Sequence, residues 1–299
     1  MKKMHGVITP MVTPFTSDNK LDLDAACALV DYLIAGGVHG LYPCGTTGEM
    51  LKMRTGERKE FAAEVVRHAA GRVPVFIQAG AATTEDAVEL ARHAYEIGSD
   101  GIGVVSPQFF SVNDREMVEY YVQVASAVPA DFPVYLYGIP QCAANDIKPE
   151  VADLIVKRAP NVVGIKYSYT DFVRLKDYLL CGNGNFDVLF GPDRLILPAL
   201  SMGCRGTVAG CSQCCPAPFV SIYESYMRGA YASALESSRI ATELCEIVGA
   251  GANIAYFKSA LRINGVIDCH MRAPALDLTP DEEDDLRRKL EAYKEKYGY

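Results

Sequence analysis

The chain has no tryptophan, only five histidines and no excess of positive charge: 29 lysines and arginines face 37 acidic residues, a formal net charge of −8. Nucleic acid and anionic membrane surfaces call for a basic face, so neither is an expected partner. No apolar run reaches the roughly 18–20 residues of a membrane span. The opening MKKMHGVITP has two lysines but no apolar segment behind them, so no signal peptide is expected and the protein reads as cytoplasmic. No glycine-rich dinucleotide turn follows the first apolar run, ITPMVTPF, and no low-complexity stretch or long linker divides the chain. Cysteine is not scarce. Ten in 299 residues are still too thinly spread for a disulfide scaffold, so free thiols are expected. Their one cluster, Cys211-Ser-Gln-Cys214-Cys215, has no second CxxC or histidine pair nearby, and no metal site is expected there.

Strand-like apolar runs recur about every 30 residues, each followed by an amphipathic stretch. They lie at 6–12, 37–44, 73–80, 100–107, 132–140, 161–168, 187–193 and 206–212. Helical patterns are expected over Asp22–Ala35, from Thr55, from Thr84, over Asn113–Val128 and over Pro149–Arg158. Near-continuous apolar strands are the mark of parallel strands covered on both faces. Eight β-then-α units fit an α/β fold of the (β/α)8 TIM-barrel class, with a doubly wound sheet as the alternative. Helical patterns near 230–248, 253–264 and 280–296 exceed what one barrel unit needs. The expected division is a barrel over 1–225 and a C-terminal helical extension over 226–299.

Barrel enzymes carry their reactive groups at the C-terminal ends of the strands. The sixth run, NVVGIKYS, ends in Lys166 with no acid beside it. Period-two alternation puts Gly164 and Lys166 on one face and Val163, Ile165 and Tyr167 on the other, so Lys166 is expected to point inward with room left below it by Gly164. A desolvated lysine is the nucleophile that imine chemistry on a carbonyl requires. The alternative is a lysine paired with a carboxylate inside the barrel. In FPVYLYGIP, Tyr137 ends the fifth run facing inward beside it, a phenol placed to move protons or simply to pack. The second run leads into Cys44-Gly-Thr-Thr-Gly-Glu49, whose tight turn offers amides and hydroxyls as a cradle for a small carboxylate.

GTTGE at 45–49, YGIP at 137–140 and GIK at 164–166, with GVITPMVTPF at the start and GPD at 191–193, resemble the dihydrodipicolinate synthase and N-acetylneuraminate lyase family over essentially the whole chain. The resemblance implies a metal-independent class I aldolase or lyase with no cofactor, usually a homotetramer, acting on pyruvate or another 2-oxo acid together with an aldehyde. It implies Lys166 as the Schiff-base residue, Tyr137 as the proton-transfer phenol, and Thr46 and Thr47 as carboxylate-binding and relay hydroxyls. Gly45, Gly191, Asp193, Arg194 and Gly210 complete the candidate substrate-binding set.

The chain departs from that pattern in several places. Cys142 stands where the synthases carry the arginine that binds the distal carboxylate, and Phe109 and Phe110 fall where they carry a relay tyrosine. Asp193-Arg194 replaces the Asp-Glu pair of the lyases, and Gly210 replaces their serine. Arg194 reads either as a contact to an acidic far end of the substrate or as a surface arginine. These departures favour a 2-keto-3-deoxy sugar acid as substrate. Dihydrodipicolinate synthase, N-acetylneuraminate lyase and a non-catalytic homologue that binds 2-oxo acids are the alternatives.

Overall fold

A computed structural model describes residues 1–299. Eight parallel strands form the barrel: β1 (Gly6–Thr9), β2 (Gly40–Leu41), β3 (Phe76–Gln78), β4 (Gly101–Val105), β5 (Val134–Gly138), β6 (Val162–Tyr167), β7 (Asp187–Phe190) and β8 (Gly206–Val208). Their order is β2-β1-β8-β7-β6-β5-β4-β3, and a parallel bridge from Leu41 to Val75 closes the ring. All eight expected runs contain a strand, each shorter than its run. The residues that follow each strand in its run leave the ladder and build the turns of the mouth.

The helices start where side chains can cap them. Asp22 accepts from the Ala25 amide, Thr83 from the Asp86 amide and Asn113 from the Glu116 amide, each satisfying an amide that lacks a partner in the first turn. They begin α1 (Leu23–Ala35), α3 (Thr84–Glu96) and α4 (Asp114–Ser126); α2 (Thr55–Ala69) lies between the first two. A short α5 (Pro140–Ala143) precedes α6 (Pro149–Arg158), α7 (Phe172–Gly184), α8 (Ile196–Ser201) and α9 (Pro216–Met227). Beyond the barrel come α10 (Tyr231–Ile247), α11 (Ile254–Ile263) and α12 (Pro280–Tyr297). One contiguous apolar core runs from the barrel helices into these three, through Leu244, Phe257, Leu286 and Tyr293. No helix is long and apolar enough to cross a membrane.

A smaller cluster (Ile8, Phe76, Tyr135, Val163, Leu189 and Val208, with Met4 and Tyr42) draws almost wholly on strands and fills the barrel interior. Val163 is a departure from simple alternation. Val134 pairs with Val162 but Tyr135 pairs with Gly164, so the register shifts by one residue and Val163 turns inward. Ile165 and Tyr167 keep the expected outward face, packing in the larger core. Gly164 leaves no free space. A Cβ there would stand 2.4 Å from the Asp187 carbonyl oxygen and 2.7 Å from the Tyr135 ring, so glycine is needed because Tyr135 fills the layer beneath the lysine.

Candidate active site

Above that layer the barrel opens into a cavity of about 640 Å3 at the C-terminal ends of the strands. Lys166, from the end of β6, is buried at 4% exposure, with its Cα paired to that of Tyr137 on β5. Its ammonium lies 3.9 Å from the centre of the Tyr137 ring and 4.8 Å from that of Tyr42. Both rings turn their electron-rich faces to the amine. None of the ion pairs in the molecule includes Lys166. The alternative reading, a lysine paired with a carboxylate inside the barrel, is therefore not met.

The loop after β2 brings Thr46 and Thr47 to the same cavity, and Thr46 Oγ1 lies 3.1 Å from the Tyr137 hydroxyl. The loop is tethered from below, where Thr13 donates to the Gly48 carbonyl at 2.7 Å. Phenol and hydroxyl thus form a short pair that can pass a proton, and the amine stands over the ring of the same phenol. Two further hydroxyls, those of Tyr167 and Ser111, do not extend that pair. Tyr167 packs outward with its hydroxyl unpartnered, and Ser111 lies outside the cavity lining, next to the exposed Phe109 and Phe110.

Gly191, Asp193 and Gly210 also line the cavity. Asp193 is already engaged: its carboxylate accepts from the Gly210 amide at 3.1 Å and the Cys211 amide at 2.6 Å, joining the turns after β7 and β8. Burial pushes this carboxyl above the ordinary range, against the opposing pull of those donors and of the Lys166 charge. Two of the expected residues are not brought in. Gly45 is buried under the loop, with its Cα facing the Tyr42 ring, and Arg194 starts a short helical turn and points to solvent. Arg194 is thus a surface arginine in this chain.

Other residues complete the site without having been singled out from the sequence. Tyr42 was readable in principle, since it lies where the second apolar run enters the GTTGE loop. It is fully buried, its hydroxyl has no partner, and burial raises its phenol pKa. Gln141, Ser168, Tyr169 and Thr170 follow β5 and β6 directly and form a neutral polar wall beyond Lys166, with Gln141 donating to the Ser168 carbonyl at 2.8 Å. The opposite wall comes from the extension: Gly249, Ala250 and Gly251, then Ile254 and Phe257 of α11. Residues 249–251 all have positive φ (69°, 50° and 80°), so the only hint in the sequence is the two glycines around Ala250.

The whole chain has known relatives. A family profile described as the Dihydrodipicolinate synthetase family matches residues 3–293. A 4-hydroxy-tetrahydrodipicolinate synthase of Thermus thermophilus is 35% identical over 289 residues, covering 97% of this chain and 96% of that protein. An Escherichia coli protein named "probable 2-dehydro-3-deoxy-D-pentonate aldolase" is 31% identical over 297 residues, covering 98% of each. Among solved structures, the Escherichia coli prophage protein YagE, crystallised in complex with pyruvate, superposes with a TM-score of 0.91 at 29% identity, covering 97% of this chain and 98% of that one. Barrel, extension and sequence agree over nearly every residue: the chain belongs to the dihydrodipicolinate synthetase family, within the class I aldolases.

Proposed function

We propose that Lys166 forms an imine with the keto carbon of pyruvate and that the second substrate is an uncharged hydroxyaldehyde. The reaction is then the reversible cleavage of a 2-keto-3-deoxy sugar acid. Family membership gives the coarser class, a Schiff-base, pyruvate-dependent carbon–carbon lyase. In the proposed cycle the Lys166 amine adds to the ketone, and Tyr137 and Thr46 move the protons needed to expel water. The imine then takes up the electrons of the breaking C–C bond as an enamine, while the substrate's C4 hydroxyl gives its proton to the Tyr137 side and leaves as the aldehyde. Protonation of the enamine and hydrolysis of the imine release pyruvate and restore the amine. Thr47 is the proposed carboxylate contact. Gly191, Asp193 and Gly210 shape the far wall, Asp193 through its two amides.

The observation that carries the choice of aldehyde is charge. Lys166 and Asp193 are the only charged side chains lining the cavity, and Asp193 is occupied by backbone amides. Beyond the amine stand Gln141, Ser168, Tyr169 and Thr170, together with Cys142 in place of an arginine. Such a wall suits hydroxyl groups and offers no counter-charge to a second carboxylate.

A second reading has its own support. The 4-hydroxy-tetrahydrodipicolinate synthase name is carried by the Thermus relative and by others at 30–33% identity, so by name the comparisons lean towards condensation of pyruvate with aspartate semialdehyde. A homotetramer is part of the proposal too. Phe109 and Phe110, 84% and 76% exposed, are the kind of apolar surface a neighbouring subunit would cover; a monomer in sedimentation at assay concentration would remove that part. So is the division at 225/226, since the extension supplies one cavity wall.

The test is to trap pyruvate with borohydride, map the adduct, and then compare glyceraldehyde-type aldehydes with aspartate semialdehyde. An adduct on Lys166 and turnover of the neutral aldehydes are expected. No adduct, or one that survives Lys166→Ala, overturns the imine assignment and favours a non-catalytic binder. Ordinary turnover of aspartate semialdehyde overturns the aldehyde assignment in favour of the synthase.

A further inference from the structure

A second ammonium is buried on the other side of the GTTGE loop, outside the cavity. Lys258 of α11 donates to Glu49 Oε1 and, at 2.6 Å, to the His270 carbonyl, and lies 4.5 Å from the centre of the Phe15 ring. The other oxygen of Glu49 accepts from Lys52 at 2.8 Å and from the Arg272 amide at 3.4 Å. Glu49 closes the motif with φ at 57°, a left-handed conformation that a residue with a side chain keeps only when its surroundings hold it there. Its amide donates to the Thr46 carbonyl at 3.0 Å, and the next amide, of Met50, donates to the Gly45 carbonyl at 3.3 Å. The loop presenting Thr46 and Thr47 is thus folded back onto Glu49, and Glu49 is fastened by a lysine from the C-terminal extension.

We propose that Lys258, acting through Glu49, is a positioning residue for the pyruvate half of the site: it fixes the loop that carries Thr46 and Thr47 and so ties the helical extension to carboxylate binding. The inference rests on the pyruvate-dependent reading of the cavity. A buried ion pair is no guarantee of stability, since apolar side chains of similar volume often serve as well or better. What an apolar pair lacks is direction. Three donors converging on one carboxylate set the orientation of residue 49, and with it the turn that places the Thr46 hydroxyl 3.1 Å from Tyr137.

The test uses the full-length protein and follows borohydride-trapped adduct, and steady-state KM, against pyruvate concentration. Lys258→Met is expected to melt at lower temperature and, assayed below that temperature, to need about tenfold more pyruvate for half-saturation, with the aldehyde KM shifted by about twofold at most. Glu49→Met/Lys258→Met is expected to recover thermal stability while keeping the raised pyruvate requirement. Recovery of both properties in the double variant would mean a purely structural pair and overturn the proposal; so would an unchanged pyruvate dependence in folded Lys258→Met. If neither folds, Glu49→Gln keeps an acceptor for Lys258 and is expected to raise the pyruvate requirement by about two- to fivefold; no change there overturns the proposal. A wild-type protein that traps no pyruvate overturns the aldolase reading instead.

Discussion

Two lysines of this molecule are buried almost equally, Lys166 at 4% and Lys258 at 1% exposure, and each ammonium faces an aromatic ring. They differ in what else stands near. Lys258 has a carboxylate and a carbonyl within hydrogen-bonding distance; Lys166 has the phenol and hydroxyl of Tyr137 and Thr46 on its side of the cavity and takes part in no ion pair. Burial alone therefore does not make a reactive amine. A carboxylate at contact occupies the ammonium and favours its protonated form, which cannot attack a carbonyl, whereas the Lys166 amine has no such partner between it and the cavity. The unpaired lysine opens onto a cavity large enough for a small sugar acid, and the paired one does not.

The strongest break of this comparison is to remove the unpaired amine. Lys166→Ala should abolish the borohydride-trapped pyruvate adduct and all turnover, while Lys258 traps nothing in its place; mass mapping of the trapped protein decides this. Tyr137→Phe should lower turnover by about 10²–10⁴-fold, the usual size of a general acid–base contribution, and still trap pyruvate slowly at Lys166. A Tyr137→Phe variant with normal kcat would leave the phenol as packing only.

Removing the paired amine should be felt first in stability. Lys258→Met leaves Glu49 buried with a reduced set of donors, and such losses cost about 3–5 kcal/mol. Chemical denaturation should show that loss, and Lys166→Met should show none of comparable size, since no carboxylate is orphaned there. A smaller effect is expected from giving the cavity a new cation. Cys142→Arg should improve kcat/KM for a carboxylate-bearing aldehyde over a neutral one by about tenfold, the scale of one charge-assisted hydrogen bond. An unchanged ratio would mean that position 142 does not meet the far end of the substrate.

The two lysines also differ in how far the sequence revealed them. Lys166 was legible because an uncompensated charge inside an apolar run is conspicuous, and the barrel's strand-end rule says where it points. Strand existence and helix starts were legible for similar local reasons: apolar runs, and caps such as Asp22 and Asn113. Strand ends were not, because the apolar residues of 37–44 outlast the two-residue β2 and go on to build the loop. The inward turn of Val163 was hidden because a register shift depends on the neighbouring strand. Lys258 was hidden because its meaning lies in a contact with Glu49, 209 positions earlier, and the 249–251 wall because it acquires a role only by lining a cavity built on distant strands; no periodicity spans such distances. Arg194 misled by adjacency: Asp193 faces the cavity and its neighbour faces water.

The smallest expected effect bears most directly on the comparison. Unfolded, Lys258 titrates at its ordinary 10.5; in the fold, burial holds it lower, and the attraction of Glu49 offsets only part of that. Between the two values the unfolded chain holds more protons on this side chain than the folded chain does. Its contribution to stability should therefore grow as pH rises from the folded value towards 10.5, and be lost as pH falls back through the folded value. Buried phenols and thiols with raised values, such as Tyr135 and Cys44, act in the opposite sense over the alkaline range, so the quantity to read is the difference between wild type and Lys258→Met in urea unfolding from about pH 8 to about pH 10. That difference should move in favour of the wild type with rising pH. Movement the other way would mean that Glu49 outweighs burial and that Lys258 is an ordinary, well-compensated ion pair. In the expected case Glu49 offsets only part of what burial does to Lys258, while at Lys166 no carboxylate stands between the amine and a ketone.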